Sequence, residues 1–172
     1  MKEVVISEKA IIEAAGEGMD AFVDVFVDAT YEAIGGTLDA KTMGELNAEQ
    51  VTLLAYRILR NEVMDGGFVQ LIHNGYGPFL FKNPFGKMMR MWGIDSLAQL
   101  MNKARKLYYK YAEVIERDCS DEDFMALFEQ LPEFDDLDDT FVENEEEWTG
   151  AVAQYIDEHI EQFATIVDRQ DE

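Results

Sequence analysis

The sequence predicts an all-α fold, a single compact multi-helix domain, and three observations carry that expectation. Apolar residues recur at three- and four-residue spacing through most of the chain, punctuated by Gly or Pro. Strand-like character is confined to a short extension at Val4–Ile6. The composition, 48% apolar and 12% aromatic with three prolines, is that of a chain able to bury a core. No repeat, linker or low-complexity segment divides the 172 residues, so one domain is expected.

Taken in order, Ser7 caps a first helix through Ile11, Ile12 and Ala15. Gly16 and Gly18 break or bend it before a continuation through Phe22, Val23, Phe26, Thr30 and Ile34, which Gly35-Gly36 ends. Asn47 with Gln50 makes a loose capping box that opens the stripe Val51, Leu54, Ala55, Ile58, Leu59 and Val63. Gly66-Gly67 interrupts this helix, and a short segment follows from Phe68 to His73. Asn83-Pro84 caps a helix through Met88, Met89 and Trp92, closed by Gly93. Asp95 or Ser96 starts a longer one through Leu97, Leu100, Met101, Ala104 and Tyr108. Ser120 and the three acids after it open Phe124–Leu131, and Pro132 stops it. Phe134–Asn144 reads as a connection. The last helix shows the apolar face Trp148, Val152, Tyr155, Ile156, Ile160, Phe163 and Val167.

The formal net charge is −22 and is unevenly placed. Between Asp118 and Asp168 there are 18 acids and no Lys or Arg, and Ala10–Ala40 is a second stretch without a base. From Lys82 to Lys110 the balance reverses, with seven bases and one acid, Asp95. Such a chain repels nucleic acid and anionic membranes and favours basic protein surfaces. No apolar run approaches the roughly 20 residues that cross a bilayer. A single cysteine, Cys119, placed near a helix end, fits a reducing compartment, so a soluble cytoplasmic protein is expected.

Glu13, Glu17, Asp20, Asp24, Asp28 and Glu32 fall at steps of three and four, which would set all six on one helix face. If the glycines leave that helix intact, the ridge runs on the order of 28 Å and presents charge as a strand of phosphates does. Like charges at these steps cost stability where Glu–Lys pairs would add it, so the one-sidedness argues for a use. A second acidic group is denser and less regular: Asp135, Asp136, Asp138, Asp139, Glu143, Glu145, Glu146 and Glu147. Its plain alternative is solvation of a helix face, with part of the charge suited to a helix N-terminus.

Other chemistry has little support. A calcium loop from Asp136 to Glu147 would place Phe141 where the turn requires glycine. His73 and His159 have no metal-ligand spacing, no nucleophile motif is present, and no cofactor is expected. Lys103, Arg105, Lys106 and Lys110 are expected to pair with the chain's own acids.

The run Glu62-Val63-Met64-Asp65-Gly66-Gly67-Phe68-Val69-Gln70, followed by His73-Asn74-Gly75, resembles the signature of the DNA-mimic protein family, which also has members of unassigned role. Phe134–Phe141 and Tyr155-Ile156 with His159 and Phe163 are similar to it too, so the likeness covers roughly residues 50–165. The family usually has Asn where this chain has Asp65, a change expected to preserve a turn. Within the motif Glu62, Asp65, Gly66, Gly67, Phe68, Gln70 and Asn74 read as structural. The resemblance implies a helical protein that acts as a homodimer on a basic DNA-binding protein such as a helix-turn-helix regulator, without catalysis. Two other readings stay open: a metal-binding protein or enzyme using Glu62–Asn74 or Asp136–Glu147, and a helical subunit whose charge only confers solubility.

Overall fold

Short-range hydrogen bonds fix several helix starts. In the computed structural model, which describes residues 1–117 and 120–168, a strand β1 (Val5–Ser7) leads into α1 (Glu8–Glu17), and Ser7 Oγ accepts from Ala10 N at 3.1 Å. Cys119 lies outside the described residues. Gly16 stays inside α1. Gly18, at φ 127° and ψ 176°, ends α1 and begins α2 (Met19–Ala33). A helix the sequence reading passed over, α3 (Ala40–Met43), is closed by reciprocal bonds between Asp39 and Thr42. Asn47 Oδ1 then accepts from Gln50 N at 2.8 Å while Gln50 Oε1 accepts from Asn47 N at 3.0 Å, the expected capping box at the head of α4 (Ala48–His73).

α4 continues through Gly66 and kinks at Gly67 (φ 79°, ψ −178°) before running on to His73. Next come α5 (Gly77–Phe81), also unforeseen, α6 (Phe85–Met91) and α7 (Asp95–Glu116). Asn83 does not cap α6, since its amide donates to Phe79 O, and α7 starts with no side-chain cap. Ser120 does cap α8 (Asp121–Gln130), accepting from Asp123 N at 3.2 Å. A 3-10 turn at Pro132–Phe134 leads into α9 (Asp135–Glu158), then α10 (Ile160–Phe163) and β2 (Thr165–Val167). The architecture is all-α with one two-stranded sheet among the described residues. None of its described helices is long and apolar enough to cross a membrane.

Two expectations about the C-terminal third are corrected. Phe134–Asn144 is not a connection: α9 already runs through it, because Phe134, Leu137, Phe141 and Trp148 are buried at helical spacing. Asp135, Asp136 and Asp138 also fill its first turn, where the helix dipole favours negative charge. The last helix does not reach Val167. It breaks at His159 (φ −136°, ψ 36°), and Thr165, Ile166 and Val167 pair in parallel with Val5, Ile6 and Ser7.

The chain divides into two units. One comprises Met1–Leu54 with the described residues from Glu147 onward. Its core includes Phe22, Phe26, Trp148, Val152, Ile156 and Phe163, with the Phe26 and Phe163 rings edge to face at 6.5 Å. Gln50 is buried there and donates to Phe163 O at 2.9 Å. The other unit, Ala55–Glu146, buries Tyr56, Leu59, Phe68, Leu71, Leu97, Tyr108, Phe134 and Phe141.

Candidate functional site

The kink in α4 and the first turn of α9 are joined by one side chain. At φ 79° and ψ −178°, Gly67 leaves the N–H of Phe68 outside the helical ladder, and Asp138 Oδ1 accepts from it at 2.8 Å. A Cβ on Gly67 would stand 2.4 Å from Asp138 Oδ2, so only glycine allows the two helices this approach. Around the bend, Gln70 Nε2 donates to Glu62 at 2.8 Å and to Asp65 at 3.0 Å, and Asn74 donates to Glu62 at 3.0 Å. Asp65, expected to preserve a turn, takes part in this side-chain network. Glu62, Asp65, Gln70 and Asn74 are thus tied to one another, and the Gly67–Phe68 bend to Asp138.

Burial pushes the Asp138 carboxyl up to about 6, against the opposing pull of the Phe68 N–H, and the charges of Asp135 and Asp139 raise it further. Because the folded value lies above the ordinary 3.8, the stability it contributes is fully present below about pH 4 and is lost as pH rises through about 6. Asp138→Asn keeps an oxygen for the Phe68 N–H and buries no charge. Between about pH 5 and pH 7.5, the wild-type chain should lose about 1 kcal/mol relative to this variant, a figure reduced for the water that reaches the carboxyl. Urea unfolding of both proteins across that range checks it. Parallel curves would contradict the buried placement.

With Asp138 turned inward, the remaining acids of α9 sort by what they touch. Glu145 is half-buried and accepts from Arg60 Nε at 2.7 Å, so its charge is satisfied within the unit. Asp135, Asp136, Asp139, Glu143, Glu146 and Glu147 are all exposed. At 100° per residue these six fall within an arc of about 120°, opposite Phe134, Leu137 and Phe141. They occupy about 18 Å of helix axis, or one charge per about 3 Å. One strand of a DNA duplex carries one per about 3.4 Å of axis. The segment expected to be irregular is the regular ridge.

The first stripe is shorter than the sequence suggests. Gly18 separates Glu13 and Glu17, on α1, from Asp20, Asp24, Asp28 and Glu32, on α2, so the six do not share one helix and the continuous 28 Å ridge (about 1.5 Å per residue) is not formed. Asp24 is half-buried, and Glu13 lies 3.8 Å from Lys9. Asp20, Asp28 and Glu32 remain exposed on α2.

The calcium loop considered for Asp136–Glu147 is not formed. The segment is helix, and among the described residues no group of three or more His, Cys, Asp or Glu is placed to hold a metal. His73 Nδ1 bonds Ile115 O at 2.9 Å with its ring stacked on Phe124, and His159 Nδ1 bonds Tyr155 O at 2.8 Å. Of the basic residues, Lys110 lies 3.6 Å from Glu133, whereas Arg105 sits over the Tyr109 ring. Sequence reasoning missed Arg60, which removes Glu145 from the surface set. No local signal connects residues 85 positions apart.

A family model described as DMP19-like protein matches residues 44–159. The chain is 34% identical over 147 residues to the DNA mimic protein DMP19 of Neisseria meningitidis serogroup B (strain ATCC BAA-335 / MC58), a match covering 85% of this chain and 88% of that relative. The span matched by the family model contains the Gly67 kink and the whole α9 ridge, and it begins after the stripe on α1 and α2.

Proposed function

The chain belongs to the DMP19-like protein family, and from that membership we propose that it is an acidic protein-binding module acting as a DNA mimic. It would occupy the basic DNA-binding surface of a transcription regulator, of the helix-turn-helix kind, or of another nucleic-acid-binding protein. The observation that carries the reading is the exposed face of α9, whose charge density along its axis approaches that of one duplex strand. Its carboxylates gain nothing from one another, since like charges at i,i+4 oppose the helix by about 0.2–0.5 kcal/mol each. A basic partner turns that cost into attraction. Asp20, Asp28 and Glu32 on α2 supply further negative charge to the same role.

The partner's recognition surface should be the one that holds its DNA. A protein retained on the immobilised chain at about 50 mM salt should therefore elute with duplex DNA, and also with about 0.5 M salt, where surface charges are screened beyond a few ångströms. Retention that resists both would contradict the reading.

A further inference from the structure

The same acidic chain has a basic cavity, and its place in the second unit is separate from the α9 ridge. A cavity of 690 Å³ opens where α5, α6 and α7 pack together, a size usual for small-molecule sites. Four cationic side chains line it: Lys82 after α5, Lys87 and Arg90 on α6, and Arg105 on α7. Asn83 and Asn102 add amides, and no carboxylate is among its lining residues. Among the described residues none of the four cations has an acid within ion-pair distance, whereas Lys110, further along α7, pairs with Glu133. Four like charges around one hollow repel each other, and, exposed and without an acid of the chain beside them, they attract anions from solution. The negative field of the rest of the chain is screened within about 8 Å at physiological ionic strength, so the local balance governs what enters.

The lining is not wholly polar. Leu80, Phe81, Met91 and Met101 give the cavity an apolar part beside its charges. We propose that this cavity binds a small ligand bearing several phosphates and one flat apolar group, of the nucleoside polyphosphate class. Arg90 and Arg105 offer planar forks to phosphate oxygens, Lys82 and Lys87 add point charges, and the methionines meet the base. The ligand's charge is opposite to that of the partner proposed for α9, so the two sites select different molecules.

Calorimetric titration of the full chain with ATP, inorganic tripolyphosphate and adenosine, without divalent metal, tests it. ATP should bind, tripolyphosphate more weakly, and adenosine not detectably. The exposed double variant Lys87→Gln/Arg90→Gln should weaken ATP binding by at least about tenfold, the loss expected on removing charge-assisted bonds. Lys103→Gln/Lys106→Gln, on α7 but outside the lining, should change it by less than about threefold. The proposal is overturned if ATP does not bind, if it binds no tighter than tripolyphosphate, or if the two double variants weaken it equally.

Discussion

Gly67→Ala is expected to lower the stability of the chain by about 3 kcal/mol, from strain of about 1–3 kcal/mol at this backbone conformation plus about 1 kcal/mol for the lost cap. Both follow from the same geometry. At φ 79° and ψ −178° an L side chain is strained whatever space surrounds it, and here the new Cβ would meet the Asp138 carboxylate. Moving Asp138 aside releases the Phe68 N–H that it holds at 2.8 Å. For a chain of this size that loss corresponds to a fall in melting temperature of roughly 6–12 °C. Gly66→Ala is the informative contrast. Its Cβ would meet the Gln70 side chain, whose amide end can swing away but whose Cβ, at 2.9 Å, must shift slightly, and Gly66 lies in helical backbone without left-handed strain. It should therefore cost less than Gly67→Ala, about 1–2 kcal/mol, while freeing Glu62 and Asp65 from their shared amide. Thermal unfolding of the two variants side by side checks both; equal losses would mean that the kink does not depend on glycine at position 67.

The second large effect is on binding rather than folding. Asp135→Asn, Asp139→Asn, Glu143→Gln and Glu146→Gln together remove four exposed charges spaced four, four and three residues apart. If each stands in for one phosphate, affinity for a basic partner should fall on the order of 100-fold at about 50 mM salt, and the dependence of log affinity on log salt should flatten by about 3–4. Stability should stay within about 1 kcal/mol of the wild type, because the repulsions relieved along the ridge are offset by the loss of the Asp135 charge at the helix N-terminus. Loss of binding with retained stability is the signature of charge kept for a partner. Asp138 and Glu145 are left out deliberately: one caps the α4 kink and the other meets Arg60, so changing them would mix a folding defect into the result.

The parts of this molecule legible in sequence are those decided by neighbours within a few residues. Ser7, the Asn47–Gln50 pair and Ser120 cap their helices through bonds to positions three residues on, and the Gly66-Gly67 interruption is a backbone property of glycine itself. The head of α9 reads as a polar connection because of its acids; the buried spacing of Phe134, Leu137 and Phe141 underneath is the stronger signal. β2 depends on a partner strand more than 150 residues away, which no local pattern reports. The candidate surface divides in the same way. Spacing alone could put Asp135, Asp139 and Glu143 on one face once the helix was known. That Asp138 and Glu145 turn away depends on Phe68 and Arg60, 70 and 85 residues distant. The order of the two stripes reversed for one local reason, the φ of Gly18, and one distant reason, the burial beneath α9.

The central claim is that the chain and duplex DNA compete for one basic surface, and a titration tests it most directly. A DNA-binding protein eluted from the immobilised chain by duplex DNA is loaded with a fluorescent duplex at about 50 mM salt, and the chain is added while anisotropy is followed. The account predicts complete release of the duplex, with the four-charge variant requiring on the order of 100 times more protein. A complex in which the chain and the duplex are held together would contradict it.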